Sequence, residues 1–352
     1  MVRRYDSSCK SRLKLCCLIF TFSSGVVAVC FAVQQNVTSK SSQASPLPLE
    51  NANTAKIKLM SIDSLSLELF EAQKIVNEGE QIIWFTVVND EFATTYLPTY
   101  LESFRRTNAT LVNNIVVVTL SEKARGSCLK IHHACPKYDK GSSGHIPNAL
   151  QQSTRSAQQP AWRNLVWVTV ELRLHIARMG FSTLHSDADV FHLQDPWKLL
   201  LHVAKLRENV AVSTNAISAK LVDANPGVHY CRSGNHSVAY LMKWYEHRKL
   251  MGSTSGNQRA LTSLLAKERW MARATEVLPC SLIASGCCLR DCCVSLWQRL
   301  ETMDHATLYS EVSSNANLAW VHEAPIFHAA CMGGTPEKKM RRLTKFLRAI
   351  SK

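Results

Sequence analysis

Two spacings of apolar residues alternate along the body of the chain. Short apolar runs, typical of buried strands, occur at 81–88, 114–120, 181–184 and 209–213. Between them, apolar residues recur every three or four positions, as from Leu165 to Met179, just ahead of Gly180, which is a natural helix stop. Helices are also predicted over 97–106 and 197–208. Strands that alternate with helices predict an α/β fold with a mostly parallel central sheet.

An acidic pair follows the third predicted strand, in the sequence FSTLHSDADVFHLQDPW at 181–197. Residues i and i+2 of an extended segment point the same way, so Asp187 and Asp189 can direct both carboxylates at one point. In open α/β sheets, ligands bind beyond the carboxyl ends of the strands. Two close anions repel unless a cation lies between them, and Mg²⁺ or Mn²⁺ suits such oxygen ligands. The pair predicts a metal site that also binds phosphates, with a solvated acidic turn as the alternative.

The N-terminus predicts a membrane-attached protein. A basic segment, 1–14, precedes an apolar run of 19 uncharged residues at 15–33. As a helix this run would span about 28 Å, close to a bilayer core, with its basic flank in the cytoplasm. A cleaved signal peptide is the alternative. Residues 34–78 are then a stem, because 34–56 are polar and poor in large apolar side chains, and 79–352 form a lumenal domain.

The cysteines and glycosylation sequons agree with a lumenal body. The chain has 13 cysteines, of which nine follow the apolar run. In an oxidising compartment these nine should form disulfides and leave at least one thiol over. The motif GCCLRDCC at 286–293 does not have the usual spacing of a zinc site. Acceptor sequons begin at Asn36, Asn108 and Asn235.

The net charge of +14 does not indicate a nucleic-acid partner. Residues 1–14 contribute +4 and residues 338–352 contribute +7, so only +3 remains between them. The body therefore has no basic stripe interleaved with aromatic residues, and no nucleic acid is expected as a partner. The basic C-terminal segment either contacts anionic phosphates or a membrane surface, or is a packing helix with apolar residues at helical spacing.

A resemblance to a known family rests on the order of several segments. They are FTVVNDEF at 85–92, NIVVVTLSEKARGSC at 114–128, GFSTLHSDADVFHLQDPW at 180–197, NPGVHYCRS at 225–233, NQRALTSLL at 257–265 and FHAACMGG at 327–334, followed by Lys338 and Lys339. In this order they resemble the nucleotide-diphospho-sugar transferase domain of plant and algal cell-wall glycosyltransferases, glycosyltransferase family 77 and its relatives. The resemblance covers about residues 80–345.

The resemblance implies a GT-A fold, a Rossmann-like α/β domain whose mostly parallel sheet carries flanking helices. It also implies a metal-dependent transferase that uses Mn²⁺ or Mg²⁺, a nucleotide-sugar donor and a glycan or glycoprotein acceptor. Members act mostly with retention at the anomeric carbon. They are single-pass type II proteins of the Golgi membrane, held by an N-terminal anchor.

Site residues follow from the same resemblance, position by position. The metal ligands are Asp187, Asp189 and His328. The nucleotide sugar is contacted by Val87, Val88, Asn89, Asp187, Asn225, Gly227 and Lys338. Gln258 and Asn257 lie at the reacting face. Resemblance and spacing together also pair Cys128 with Cys135 in a disulfide.

Two positions depart from the family pattern. The chain has Asn257 where the family commonly has aspartate, and asparagine cannot ionise. Thr169 stands where the helix before the acidic turn often has a lysine. A catalytically weak or inactive sugar-binding protein of the same fold is therefore the alternative function. A phosphatase of the Asp-x-Asp type is disfavoured, because that chemistry usually needs a threonine where this chain has Phe191.

Overall fold

The computed structural model describes strands at 14–22 and 25–33 and then residues 67–138 and 160–350, with gaps at 217, 219, 252–255, 293–295, 297–298, 301, 315–323 and 333–334. The contacts divide the chain into two units, residues 1–59 and 60–352. The segment 137–160, rich in Ser, Gly, Gln and Asn, is predicted from its composition to be a mobile loop, and it lies mostly outside the described residues.

The first unit contains an antiparallel strand pair where the sequence predicts a helical span. Strand β1 (Lys14–Phe22) pairs with β2 (Gly25–Val33). Both segments are rich in Val, Ile, Phe and Thr, which favour strands, and periodicity alone does not separate a short apolar helix from a strand. Of the helices in the described ranges, none combines the length and apolar character needed to cross a bilayer. The membrane anchor stays a prediction.

The second unit alternates helices and strands, as the sequence predicts. Its strands are β3 (Ile75–Asn77), β4 (Glu80–Val88), β5 (Ile115–Thr119), β6 (Ser182–Ser186), β7 (Val190–His192), β8 (Val210–Thr214), β9 (Ala224–Cys231), β10 (Thr275–Val277), β11 (Ile283–Ser285) and β12 (Ile326–His328). Its helices are α1 (Leu67–Gln73), α2 (Asp90–Thr95), α3 (Leu97–Thr107), α4 (Glu122–Leu129), α5 (Pro160–Arg178), α6 (Trp197–Ala204), α7 (Asn235–Met251), α8 (Asn257–Lys267), α9 (Arg269–Arg273), α10 (Gly286–Cys292), α11 (His305–Ser314) and α12 (Pro336–Ile350).

A seven-stranded sheet forms the centre of this unit. Its order is β10-β8-β9-β6-β4-β3, with β5 also paired to β4. Strands β4, β5, β6, β8 and β10 run in one direction, while β3 and β9 run against them. The prediction of an α/β fold with a mostly parallel sheet is confirmed.

Strand β4 shows why this sheet is stable. Ile82, Trp84 and Val88 pack into the apolar core on one face, and Ile83 and Phe85 pack into the core on the other. Both faces of the strand are therefore buried, which is why the strand reads as a continuous apolar run and not as an alternating one. A second, three-stranded sheet has the order β11-β12-β7, and its strand β7 directly follows the acidic turn in the sequence.

The long helix α5 is buried on two sides. Its residues Leu172 and Ile176 contact one cluster of apolar side chains, and Val170 and Leu174 contact another. Gly180 follows in the left-handed region with φ of +93°, where glycine carries no steric penalty. The helix and its stop agree with the sequence prediction.

The folded body begins before the predicted boundary at residue 79. Phe70 of α1 is fully buried, and β3 pairs antiparallel with β4. The polar composition that marks a stem ends near residue 56. The composition of the roughly 20 residues after it does not show whether they belong to the stem or to the domain. In the structure, α1 and β3 are part of the domain.

Among the described residues, three disulfides cross-link the second unit: Cys128–Cys135, Cys280–Cys288 and Cys287–Cys331. The first is the predicted pair. Because Cys287 and Cys288 are each bonded to another cysteine, neither thiolate can ligate zinc. Cys231 is a buried free thiol.

Peptide mapping of the purified protein without reductant should recover the Cys128–Cys135 bridge in one linked species and the two bridges of the adjacent Cys287 and Cys288 together in another. Cys231 should react with a thiol reagent only after the protein is unfolded, because its side chain is buried. Recovery of all six cysteines as free thiols from native protein would contradict both the disulfides and the predicted oxidising compartment.

Candidate active site

Strand pairing brings distant parts of the chain to the acidic turn. In the β6–β9 ladder Ser186 faces Val228, and the N–H of Asp187 donates to the carbonyl of Gly227 at 2.7 Å. On the other side of the turn, β7 pairs antiparallel with β12, and the N–H of Ala329 donates to the carbonyl of Asp189 at 2.9 Å. Backbone hydrogen bonds thus fix both aspartates.

Asp187, Asp189 and His328 form a group that could hold a metal ion. Their ligand atoms lie within 4.8 Å of one another. His328 Nε2 is 3.8 Å from Asp187 Oδ2 and 3.5 Å from Asp189 Oδ1. Two carboxylate oxygens and one imidazole nitrogen suit Mn²⁺ or Mg²⁺, with the remaining positions left for water or substrate oxygens. The three residues predicted as ligands therefore meet, and their donor atoms fit such an ion.

Gly227 leaves the space in which this group converges. A Cβ at residue 227 would lie 2.2 Å from His328 Cε1 and 2.8 Å from Asp187 Oδ2. Any side chain there would displace the imidazole or the carboxylate. Asn225 supports the same segment, because its Oδ1 accepts the Gly227 N–H at 2.9 Å and its Nδ2 donates to Asn215 Oδ1 at 2.6 Å.

The two carboxylates have different electrostatic surroundings. Burial alone would raise the pKa of Asp189, but ion pairing with Lys339 and the proximity of His328 hold it well below its usual range. Desolvation, followed by the charge of Asp189, raises the pKa of Asp187 to about 6. A protonated carboxyl is a poor metal ligand, so metal binding at this pair is favoured above about pH 6.

The ammonium group of Lys339 contacts Asp189 Oδ2. Its Nζ also lies 5.8 Å from the centroid of the Tyr96 ring. The sequence prediction is Lys338 at the diphosphate, one residue earlier on α12. The structure thus adds Lys339 to the site, and the role of Lys338 stays a prediction.

A second layer of polar residues lies behind Asp187. His185 Nε2 is 3.6 Å from Asp187 Oδ1, and His185 Nδ1 is 2.6 Å from Arg173 Nη2. Burial lowers the pKa of Arg173 to about 9, which leaves its guanidinium charged at neutral pH. The sequence prediction missed both residues. An arginine within an amphipathic helix is ordinarily expected to be exposed, which is why Arg173 was missed.

Strand β4 ends at the same edge of the sheet. Phe85 faces His185 in the parallel β4–β6 ladder. Val87, Val88 and Asn89 therefore lie at the same edge of the sheet as the acidic turn. Asn89 is fully buried, and its Oδ1 accepts the N–H of Phe92 at 2.8 Å. This hydrogen bond caps α2. The contacts predicted between these three residues and a nucleotide stay predictions.

The two predicted catalytic positions lie at the start of α8. Asn257 is buried, its Nδ2 donates to the carbonyl of Val166 at 3.0 Å, and its own carbonyl accepts from Trp244 Nε1 at 3.0 Å. These contacts join α8 to α5 and α7. They give Asn257 a structural role, and the catalytic roles of Asn257 and Gln258 stay predictions. Thr169 donates to Val166 O at 2.8 Å. Threonine is uncharged, so this position does not supply the positive charge of the lysine that the family often has there.

Comparisons with known proteins identify relatives of the chain. A curated Arabidopsis thaliana protein, "Uncharacterized protein At1g28695", is 24% identical over 221 residues, which are 60% of this chain and 63% of that protein. The chain thus spans less than two thirds of this relative. Mouse xyloside xylosyltransferase 1 in its apo form has 11% identity and a TM-score of 0.41, over 70% of this chain and 97% of its own.

The structure of galactosyltransferase LgtC in complex with donor and acceptor sugar analogs has 11% identity and a TM-score of 0.42, over 75% of this chain and 94% of its own. A family model carries more weight, because it spans most of the chain. Residues 110–343 match the model of the nucleotide-diphospho-sugar transferases, and the chain belongs to this family.

Proposed function

We propose that this protein is a metal-dependent glycosyltransferase that moves a hexosyl or pentosyl group from a nucleotide-diphosphate sugar to a glycan or glycoprotein. The observation that carries the proposal is the convergence of Asp187, Asp189 and His328 beside Gly227, at the carboxyl end of β6. Ligand sites of α/β sheets lie at this edge. Family membership supplies the class of donor.

The residues of the site would have different roles in the transfer reaction. The two carboxylates and His328 would hold Mn²⁺ or Mg²⁺, which as a Lewis acid neutralises charge on a departing diphosphate. Lys339 carries a second positive charge at the same site. Neutralising charge in this way lets the nucleoside diphosphate leave without proton transfer. Asp187 and Gly227 would line the pocket in which the donor sugar lies.

The compartment and the stereochemistry belong to the proposal as well. The basic N-terminal segment with the apolar run at 15–33 supports a type II protein of the Golgi membrane, with the second unit in the lumen. The three disulfides support an oxidising compartment. Retention at the anomeric carbon follows from the resemblance to family 77 alone.

Calorimetric titration of the full-length protein with a panel of nucleoside diphosphates and their sugars tests this function. One nucleotide class should bind in the presence of Mn²⁺ and fail to bind after chelation, because the carboxylates repel a diphosphate unless a cation lies between them. The sugar of that class should then be transferred or hydrolysed, with release of nucleoside diphosphate.

The outcomes separate the alternatives. Metal-dependent binding without any turnover would favour the inactive sugar-binding protein. Absence of binding across the panel, with and without Mn²⁺, would contradict the proposed function.

A further inference from the structure

Arg173 is the least expected residue near the site. Its side chain is fully buried, although arginine is almost never fully buried unless it is paired. Its Nε and Nη1 have no hydrogen-bond partner among the described residues, and its guanidinium carbon lies 5.3 Å from the centroid of the Trp244 ring. A buried cation with unmatched donors lowers the stability of a fold. Such a group calls for an explanation other than packing.

The remaining nitrogen of Arg173 makes two contacts that both lead to the site. Nη2 is 2.6 Å from His185 Nδ1 and donates to the carbonyl of Pro226 at 3.0 Å. His185 is the second residue before Asp187, at the end of β6. Pro226 immediately precedes Gly227, near the start of β9. One nitrogen therefore joins the two chain segments that meet at the candidate metal site.

The contact with His185 also fixes the proton on its ring. Guanidinium groups only donate hydrogen bonds, so His185 Nδ1 accepts and the proton of the neutral imidazole lies on Nε2. Nε2, the protonated nitrogen, is the one that faces Asp187 Oδ1, at 3.6 Å. This distance is a contact and not a hydrogen bond. Asp187 Oδ1 lies on the His185 side, while Asp187 Oδ2 lies 3.8 Å from His328 Nε2.

We propose that Arg173 is a positioning residue for metal and donor binding, acting on Asp187 through His185 and on Gly227 through Pro226. It contacts no ligand itself, because its side chain is fully buried. The inference rests on the proposed function, and it predicts that Arg173 improves binding without adding to stability.

The test replaces Arg173 by methionine, which has a similar length and no charge. Titration of full-length protein with Mn²⁺ alone should show about a tenfold lower affinity, the range seen when a residue that orients a metal ligand is removed. The urea midpoint of unfolding should stay near the wild-type value, because removal of the buried charge offsets the loss of the Nη2 hydrogen bonds to His185 and Pro226. A residue that served packing alone would lower the midpoint and leave Mn²⁺ affinity unchanged.

Arg178→Met is the matched control, since Arg178 lies on the same helix and undergoes the same chemical change. It should leave Mn²⁺ affinity at the wild-type value. Arg173→Lys keeps the charge without the planar geometry and should fall between the wild type and Arg173→Met. His185→Phe should weaken Mn²⁺ binding by a similar factor, and the double variant Arg173→Met with His185→Phe should be no weaker than either single variant.

Unchanged Mn²⁺ affinity in Arg173→Met, or fully additive losses in the double variant, would overturn the inference. A failure of Arg173→Met to fold would also overturn it, because the proposal predicts undiminished stability. A wild-type protein that binds neither Mn²⁺ alone nor any nucleotide of the panel in Mn²⁺ would instead refute the proposed function, and this inference with it. The wild-type titration therefore distinguishes the two failures.

Discussion

Replacing Asp189 by alanine is expected to lower the affinity for nucleoside diphosphate in Mn²⁺ by about a hundredfold, or about 2.7 kcal/mol. Asp189 contributes the carboxylate that lies 3.5 Å from His328 Nε2. Loss of a residue that merely orients a ligand costs about 10–100-fold in metal affinity, so loss of the ligand itself should reach the upper end. The measurement is calorimetric titration with the nucleotide that binds best in the panel, with and without Mn²⁺.

Stability should change little in the same variant. The backbone hydrogen bond from Ala329 to the carbonyl of Asp189 does not involve the side chain and is retained. Glu102→Ala removes one exposed carboxylate from α3 and serves as the control, with wild-type binding expected. Asp187→Asn should also weaken binding, because asparagine supplies an oxygen without the charge. Equal affinities in Asp189→Ala and wild type, with and without Mn²⁺, would identify the acidic pair as a solvated turn.

Local patterns made most of the fold predictable. The buried strand at 81–88 lies within one residue of β4, and the helix predicted at 97–106 lies within one residue of α3. Both depend on contacts close in sequence, namely apolar periodicity and the turn residues that follow. The apolar run at 15–33 is different, because its composition suits a strand as well as a helix, and the structure forms the β1–β2 pair there.

Only those parts of the site were predictable that depend on local geometry or on the resemblance to the family. Asp187 and Asp189 are two residues apart, so extended geometry alone directs them together. His328 reaches them through the pairing of β7 with β12, which joins segments more than 130 residues apart. No local pattern predicts that pairing, and only the order of family motifs pointed to His328.

The sequence does not decide which of the adjacent residues Lys338 and Lys339 contacts the acidic pair. Successive helix residues point about 100° apart, so the orientation of α12 decides which of Lys338 and Lys339 meets the acidic pair. That orientation depends on Leu343 and Phe346, which are fully buried against the domain. The apolar spacing of α12 predicts the helix, but the partner surface that sets its rotation is formed by distant segments.

Lys339 should have opposite effects on the two ligands of the site. Its ammonium pairs with the Asp189 carboxylate, so it competes with a divalent cation for that oxygen. Once a metal takes the carboxylate, the same ammonium is close enough to contact a diphosphate. Lys339→Met should therefore raise the affinity for Mn²⁺ alone by about tenfold and lower the affinity for nucleoside diphosphate in saturating Mn²⁺ by about tenfold. Each change corresponds to about 1.4 kcal/mol.

Two titrations on one sample measure these effects, first with Mn²⁺ and then with nucleotide in saturating Mn²⁺. Lys338→Met is the matched control, because it makes the same chemical change one residue earlier on α12. It should leave the affinity for Mn²⁺ alone unchanged. If it lowers nucleotide affinity, the predicted contact of Lys338 with the diphosphate gains support. A fall in Mn²⁺ affinity in Lys339→Met would contradict competition at Asp189, because removing a competing cation can only favour the metal. A rise in nucleotide affinity would contradict the contact of Lys339 with the diphosphate.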